Sequence, residues 1–408
     1  MTIDLLIKDC RIVNNTNDRV SVGIDEGKIS VVTKNYEQLS ADRTIEAEGK
    51  FLLPGLIDAH VHFRDPGYEY KEDFLSGSRA AAAGGVTTVF DMPNTYPLVE
   101  NVADLIAKIK IAKEKSVVNF ALYALLSNKS VNILADLYKN GAIGFKAYLS
   151  ESQLVKTEDS PPSDYSLYKA FRITSKIGAI TAIHAENNSI LEGLKVEAKE
   201  HGQTNTEGYL ASRPSLAEEE AITRASIISR EFGAKLHVCH VSSSAGANAV
   251  KLAKEKGTMI TAETCPHYLF TDVERARPLG SIIKQTPPVR TRSDSFALFQ
   301  ALKSNVIDMI SSDHSPHLKE EKVNANIWNA LGGFPGVETT LPLLLTEVNK
   351  GHLSLSEIVE KTATQPARVF GLLTKGAVAI GFDADLVLVS LEQLDRRHYH
   401  SWSAVSTL

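Results

Sequence analysis

Apolar, β-rich runs alternate with segments of helical periodicity along most of the chain. Alternation of strands and helices predicts a parallel sheet, and eight such units over about 250 residues is the size of a (β/α)8 barrel. We therefore predict an α/β fold with a TIM-like barrel, with an open doubly wound sheet as the alternative. The eight runs are FLLPGLIDAHVHF, GVTTVFDMP, VVNFALYALL, AIGFKAYL, GAITAIHAE, AKLHVCHVS, GTMITAETCPHYL and VIDMISSDHSPH.

Amphipathic segments lie between these runs, and several of them end at glycine, the residue that helix C-caps prefer. A further helix is predicted after the eighth run, over SLSEIVEKTATQPARVFGL. The predicted barrel helices include NVADLIAKIKIAKEK, DYSLYKAFRITSKIG, EEEAITRASIISREFG, GANAVKLAKEKG and SDSFALFQALKSN.

Both ends of the chain have the pattern of short strands separated by turns. Near the start these are DLLIKDCRIV, SVGIDEGKISVV and RTIEAEG, with turn signals such as Glu26-Gly27 and Glu48-Gly49. The pattern returns near the end in GAVAIGFDADLVLVSL. We predict a small β-sandwich domain built from residues 1–50 and 376–408, with the barrel over residues 51–375.

The first barrel run ends in DAHVHFRD, which places His60, His62 and Arg64 at alternating positions. Residues i and i+2 of a strand point to the same face, so these three side chains would lie together. A buried guanidinium needs a partner, and two histidines on one face are a common way to hold a metal ion. The alternative is a polar strand edge with incidental histidines.

Other runs of the predicted barrel also end in polar residues. The carboxyl ends of barrel strands form the active site of such folds. A single histidine there is commonly structural, but four histidines and an aspartate at the ends of strands one, five, six and eight predict a metal site. Beyond the first run, these polar residues are Asp91 and Asn94, His184, His240, and Asp313 with His317.

Lys146 lies inside the apolar run AIGFKAYL, where a bare ammonium group is costly. Burial would depress the pKa of the amine and make it nucleophilic. Such an amine reacts with carbon dioxide to form a carbamate, an anionic ligand with two oxygens that would bridge two metal ions. A lysine whose ammonium group reaches a polar rim is the alternative.

Composition narrows the class of protein. The 408 residues are 43% hydrophobic and 23% charged, with a formal net charge of -5 and a pI near 6.2. These values are ordinary for a soluble globular protein and argue against a nucleic-acid-binding surface. Three widely spaced cysteines favour a reducing, cytoplasmic compartment. We expect no signal peptide and no membrane-spanning segment.

Several motifs, in order along essentially the whole chain, resemble those of the cyclic amidohydrolases of the amidohydrolase superfamily. They are PGLIDAHVHFRDPG, GGVTTVFDMPNT, GFKAYL, HAEN, HVSS, ETCPHYL and SDHSPH. The resemblance implies two divalent ions, usually zinc: His60, His62 and Asp313 would hold one, and His184 and His240 the other. A carboxylated Lys146 would bridge them.

The same resemblance implies a mechanism, in which Asp313 takes a proton from the attacking water and gives it to the leaving ring nitrogen. Within the group, the motifs look most like those of class I-like dihydroorotases, which interconvert L-dihydroorotate and N-carbamoyl-L-aspartate in pyrimidine biosynthesis. The resemblance implies that Arg64, Asn94 and His317 bind the substrate carboxylate, a group that hydantoins and dihydrouracil lack. A hydantoinase would place a tyrosine where this chain has Glu151.

Other functions stay open at this point. The alternatives are an allantoinase, a hydantoinase or dihydropyrimidinase, and a non-catalytic scaffold of the same superfamily. The resemblance also allows a homo-oligomer and an assembly with aspartate transcarbamoylase.

Two features depart from the usual pattern of the dihydroorotases. Thr286, in KQTPPVR, stands where they usually have asparagine, and DRRHYHSWSAVSTL ends the chain where relatives usually continue into further strands. Two loops are also candidates for contact with substrate. Residues 150–164, which include Ser152, form a candidate lid, and the glycine-rich residues 332–340 could bring backbone groups against the ring.

Overall fold

Fourteen strands form two sheets in the computed structural model, which describes residues 2–13, 18–35, 39–152, 154 and 160–392. In chain order these strands are β1 (Thr2–Ile12), β2 (Arg19–Asp25), β3 (Lys28–Thr33), β4 (Ser40–Glu46), β5 (Phe51–Pro54), β6 (Leu56–Val61), β7 (Val86–Asp91), β8 (Asn119–Leu125), β9 (Ala142–Tyr148), β10 (Ile180–His184), β11 (Lys235–Val238), β12 (Ile260–Thr264), β13 (Met309–Ile310) and β14 (Leu386–Val389).

Helical segments connect the barrel strands. The α-helices are α1 (Phe74–Ala83), α2 (Val102–Lys115), α3 (Leu134–Lys139), α4 (Asp164–Ile177), α5 (Asn188–Glu200), α6 (Thr206–Ala211), α7 (Ser215–Glu231), α8 (Ser244–Glu255), α9 (Pro266–Phe270), α10 (Val273–Ala276), α11 (Arg292–Lys303), α12 (Lys319–Lys322), α13 (Thr340–Asn349), α14 (Leu355–Val359) and α15 (Gln365–Phe370). Two 3₁₀ segments, Ser130–Asn132 and Arg277–Ile283, and a π turn, Glu360–Thr364, accompany them.

The helices begin and end where local chemistry places their caps. Helix α4 follows Ser163, whose hydroxyl accepts a hydrogen bond from the Ser166 backbone N–H, and it ends at Gly178 with a φ of 72°. The five predicted barrel helices are confirmed as α2, α4, α7, α8 and α11. The helix predicted after the barrel is confirmed as α14 and α15, joined by the π turn. No helix among the described residues is both long and apolar enough to cross a membrane.

Strands β6 to β13 form an eight-stranded parallel sheet in which each strand pairs with the next along the chain. The segment after β13 returns to β6, because His314 forms a parallel bridge with Val61 and the His62 backbone N–H donates to the His314 carbonyl at 2.8 Å. These contacts bring the edge strands together into a nearly closed barrel. The predicted TIM-like barrel is therefore confirmed over the open doubly wound sheet.

The second sheet contains strands from both ends of the described chain. Its order is β14-β5-β1-β2-β3, and β4 pairs in parallel with β1. This small β-domain confirms that the barrel carries a second β unit. The boundaries 1–50, 51–375 and 376–408 stay a prediction. Strand β5, at Phe51–Pro54, pairs within this sheet, and residues 393–408 lie outside the described part of the chain.

The barrel interior is packed with apolar side chains below the strand ends that carry the polar residues. All six residues of β6 are buried, as expected for a parallel strand that is covered on both faces. Phe370, at the end of α15, packs against Phe90 and Tyr123, with ring centroids 4.8 and 6.2 Å away. The helix after the barrel thus completes the barrel core.

Phe370→Ala is expected to lower the free energy of unfolding by about 3–5 kcal/mol, because it removes a buried aromatic ring and leaves a cavity. Denaturant titration followed by circular dichroism measures the change. The matched control is Phe296→Ala, since Phe296 is 67% exposed and its loss is expected to change stability by less than about 0.5 kcal/mol. Equal effects of the two variants would contradict a core role for Phe370.

Candidate active site

A cavity of about 260 Å3 opens at the carboxyl ends of the barrel strands. Its wall contains eight of the nine predicted site residues, and the ninth, Lys146, is fully buried on β9. The structure thus brings together residues that are spread over more than 250 positions of the sequence. The eight in the wall are His60, His62, Arg64, Asn94, His184, His240, Asp313 and His317.

Backbone strain marks three of these residues. Arg64, His240 and Asp313 have φ values of 37°, 37° and 49°, in the left-handed region that residues with a Cβ rarely adopt. Each lies where a strand gives way to a loop. Such strain persists only where the surrounding structure holds it in place, and it is concentrated at functional sites.

His60, His62 and Asp313 form one compact group of potential metal ligands. The Nε2 atoms of both imidazoles lie 3.3 Å from Oδ1 of Asp313, and the three ligand atoms are within 4.8 Å of one another. The other ring nitrogen of each histidine is already bonded, Nδ1 of His60 to Glu263 at 2.5 Å and Nδ1 of His62 to Asn94 at 2.6 Å. Both Nε2 atoms are therefore directed at the same point.

His184 and His240 form a second group beside the first. Nδ1 of His184 lies 3.1 Å from Nε2 of His240, and Nε2 of His184 is bonded to Glu186 at 2.9 Å. The His60 and His240 ring centroids are 5.1 Å apart, so the two groups are adjacent. One nitrogen of His184 is thus oriented by a carboxylate while the other faces His240.

Lys146 lies among the four histidines, and its positive charge acts on all of their pKa values. Its Nζ is fully buried, has no hydrogen-bond partner among the described residues, and lies 5.2 Å from the Tyr148 ring centroid. A buried ammonium without a partner is costly. The surroundings of Lys146 therefore fit an amine that has been converted to an anionic carbamate better than a lysine at a polar rim.

Burial keeps the imidazoles of the site neutral. It lowers the pKa of His60 to about 4 and holds the pKa values of His62 and His240 well below the usual histidine range. The pKa of His184 is also lowered by burial. Neutral imidazole is the form that binds a metal ion, so the donor set fits divalent ions near neutral pH.

Sequence reasoning missed Glu263, the carboxylate that orients the first histidine. Its Oε1 accepts from Nδ1 of His60, and its Oε2 accepts from the Ser311 hydroxyl at 2.6 Å. His237 Nε2 also lies 3.3 Å from Oε2. Burial acts to raise the pKa of Glu263, but its interactions with His60 and His237 outweigh burial and hold that pKa well below its usual range. The sequence signal for Glu263 was an acidic residue near the end of the mostly apolar strand β12, ITAET.

Glu263→Gln is expected to weaken binding of a divalent ion by about 10–100-fold, since partners that orient a ligating histidine contribute that much to affinity. Zinc competition against a chromogenic chelator measures the affinity. The control is Glu338→Gln. Glu338 lies in the segment between β13 and α13 and outside the cavity wall, so we expect no change in metal affinity. Unchanged affinity in Glu263→Gln would show that Glu263 does not orient a ligand.

Arg64 lines the cavity and contacts the loop after β13. Its Nε donates to the Pro316 carbonyl at 3.1 Å, and its Nη2 donates to the Ser315 hydroxyl at 2.6 Å. Nη2 also lies 3.2 Å from Nε2 of His317. Among the described residues, no carboxylate lies within ion-pair distance of the guanidinium, although Arg64 is only 2% exposed.

Other residues singled out in the sequence have local roles. Asp91 pairs with the buried Lys108 at 2.5 Å and accepts from the Phe63 backbone N–H, so it supports the strand end. Thr286 lines the cavity, with its hydroxyl 3.1 Å from Tyr209. The candidate lid contributes Ser152 to the wall, but residues 153 and 155–159 of it lie outside the described residues. The glycine-rich loop contributes its first residue, 332.

The fold and the cavity define a TIM-like barrel with a candidate metal centre at the carboxyl ends of its strands. The family model of the Amidohydrolase family matches residues 51–406, and the chain belongs to this family. Its relatives place it in the cyclic amidohydrolase group, as the motifs predicted.

These relatives carry different names. The chain is 40% identical over 376 residues to an allantoinase from Solibacter usitatus, covering 91% of this chain and 81% of that protein. It is 37% identical over 394 residues to a dihydroorotase from Methanothermobacter thermautotrophicus, covering 96% and 86%. The solved L-hydantoinase (dihydropyrimidinase) from Arthrobacter aurescens superposes with a TM-score of 0.91 at 34% identity, covering 94% and 86%. The comparisons therefore support a cyclic amidohydrolase without selecting one ring.

Proposed function

We propose that this protein hydrolyses a small cyclic amide that carries a carboxylate, and that the substrate is L-dihydroorotate, opened reversibly to N-carbamoyl-L-aspartate. The observation that carries the choice of ring is Arg64. It is a buried guanidinium in the cavity wall without a carboxylate partner among the described residues. A charge in such a place requires a counter-ion, and a ligand carboxylate would supply it.

The surroundings of Arg64 suit a carboxylate. Nη1 has no hydrogen-bond partner in the described part of the chain, while Nε and Nη2 are held by the Pro316 carbonyl and the Ser315 hydroxyl. Asn94 uses its carbonyl oxygen to accept from His62, which leaves its amide nitrogen to donate. Arg64, Asn94 and His317 all line the cavity, and we propose that they donate to the substrate carboxylate there. Allantoin, hydantoin and dihydrouracil have no carboxylate to place there.

The proposed metal centre uses the two histidine groups. His60, His62 and Asp313 would hold one divalent ion, His184 and His240 the other, and a carbamate on Lys146 would connect them. The ions, with zinc as the proposed metal, would lower the pKa of a water molecule and polarise the ring carbonyl. The carbamate forms when the neutral Lys146 amine attacks carbon dioxide and releases one proton.

Asp313 is the proposed catalytic base and acid. Its Oδ1 faces the two Nε2 atoms at 3.3 Å, and its Oδ2 accepts from the Gln285 amide at 2.6 Å. Gln285 therefore orients the carboxylate in the cavity. Asp313 takes a proton from the attacking water and delivers it to the ring nitrogen as the amide bond breaks.

Allantoin is the second candidate substrate. The observation in its favour is the allantoinase from Solibacter usitatus, at 40% identity over 91% of this chain. Arg64 and His317 would then bind a neutral ureido group through its carbonyl oxygen. The predicted homo-oligomer and the predicted assembly with aspartate transcarbamoylase stay predictions.

The test is a side-by-side assay of the purified, zinc-supplied protein with L-dihydroorotate, allantoin, hydantoin and dihydrouracil, and with metal content measured on the same sample. Turnover of dihydroorotate alone, with about two ions per chain, supports the proposal. Turnover of allantoin instead would move the substrate to the second candidate. Absence of both metal and turnover would leave the non-catalytic scaffold.

A further inference from the structure

Both ring nitrogens of His317 face a cationic donor. Nζ of Lys71 lies 3.2 Å from Nδ1, and Nη2 of Arg64 lies 3.2 Å from Nε2. All three side chains are buried, at no more than 3% exposure. The sequence gives no hint of this arrangement, since Lys71 belongs to the loop YEYKEDF and His317 follows it by 246 residues.

The imidazole accepts from only one of the two cations at a time. Burial, followed by the charges of Arg64 and Lys71, lowers the pKa of His317 to about 3, so the ring is neutral near pH 7. A neutral imidazole has one N–H and one lone pair. Whichever nitrogen accepts, the other carries a proton that needs an acceptor.

Glu321 is the carboxylate beside Nδ1 of His317, and both of its oxygens already have other partners. Its Oε1 pairs with Nζ of Lys71 at 2.9 Å, and its Oε2 accepts from the Leu318 backbone N–H at 3.0 Å. The distance from Oε2 to Nδ1 of His317 is 3.6 Å, beyond hydrogen-bond range. The Lys71–Glu321 pair therefore presents a donor, rather than an acceptor, to Nδ1.

We infer that Lys71 is a positioning residue that donates to Nδ1 of His317 and so fixes the ring proton on Nε2. That proton then points, beside Arg64, to the place of the substrate carboxylate. This inference deepens the proposed function and rests on it for the identity of the ligand. A substrate carboxylate between Arg64 and His317 would accept hydrogen bonds from both side chains. Arg64 would then donate to the carboxylate, and only Lys71 would donate to the lone pair of the imidazole.

The test reads the tautomer directly. The metal-loaded full chain is labelled with 15N-histidine, and the His317 signals are identified by their absence in His317→Gln. Long-range proton–nitrogen spectra near pH 7 distinguish protonated from unprotonated ring nitrogens, with and without N-carbamoyl-L-aspartate. We expect the Nε2–H form in the wild-type protein, a shift to the Nδ1–H form in Lys71→Met, and no shift in Glu321→Gln.

Kinetics on the same proteins give a second readout. Lys71→Met is expected to raise KM for L-dihydroorotate by about tenfold and to change kcat by less than about threefold, because the lost contact serves ground and transition states alike. The control is Lys361→Met, another buried lysine, which bonds Asn305 and the Ile307 carbonyl away from the cavity. Its KM and His317 tautomer are expected to match the wild-type protein.

Each contrary result overturns the inference. An unshifted His317 tautomer in a folded Lys71→Met protein would show that Lys71 does not fix it, and so would an Nδ1–H form in the wild-type complex. If Lys71→Met does not fold, a shift to Nδ1–H in Glu321→Gln overturns it instead. These spectra of the ligand-free protein are independent of turnover. Failure of the wild-type protein to use dihydroorotate would therefore refute the proposed function separately.

Discussion

Asp313→Asn is expected to lower kcat by about 10³-fold, within the range that a positioned acid–base group contributes. The amide is nearly the same size as the carboxylate but cannot accept and return a proton. Asparagine also tolerates the left-handed φ of 49° at this position, so the strand end is expected to keep its conformation. Initial rates on the ring substrate at saturating zinc, with metal content measured on the same sample, give the result.

The control for Asp313→Asn is Asp308→Asn. Asp308 precedes β13 on the same segment, pairs with Lys254 at 2.8 Å and lies outside the cavity wall. We expect Asp308→Asn to keep kcat within about threefold of the wild-type value, because neither a ligand nor a proton acceptor is removed. If Asp313→Asn with full metal content also kept kcat within about tenfold, the proton transfer assigned to Asp313 would be wrong.

The barrel could be predicted because each strand carries its own local signal. Strands covered on both faces are mostly apolar, as in β8, and capped amphipathic helices separate them. The histidines and Asp313 of the site could be predicted for a related reason. The carboxyl ends of barrel strands lie at one edge of the barrel, and the structure brings the histidines and Asp313 together there.

The partners of the site residues could not be predicted, because they are long-range contacts. His60 is bonded to Glu263, 203 residues away, and His317 contacts Lys71 across 246 residues. No pattern of period two or 3.6 records such a pairing. The substrate could not be predicted from the fold either. The same barrel fold serves enzymes that act on different cyclic amides, and the choice depends on a few residues in the cavity wall.

Arg64→Met is expected to lower kcat/KM for L-dihydroorotate by about 10²–10³-fold, which corresponds to about 3–4 kcal/mol. The substrate carboxylate would lose its ion pair in a buried site, while the thioether side chain keeps most of the volume of the original stem. Arg64 is not among the proposed metal ligands, so the metal content is expected to stay at the wild-type value. Steady-state kinetics and metal analysis on one preparation test both expectations.

Arg64→Lys separates charge from geometry. A lysine keeps the positive charge but lacks the planar fork that pairs with both carboxylate oxygens, so we expect a loss of kcat/KM smaller than that of Arg64→Met. We expect any turnover of dihydrouracil or allantoin to be equal in the wild-type protein, Arg64→Met and Arg64→Lys, because these rings carry no carboxylate. A loss of allantoin turnover in Arg64→Met as large as that of dihydroorotate would assign Arg64 to ring orientation and favour the second candidate substrate.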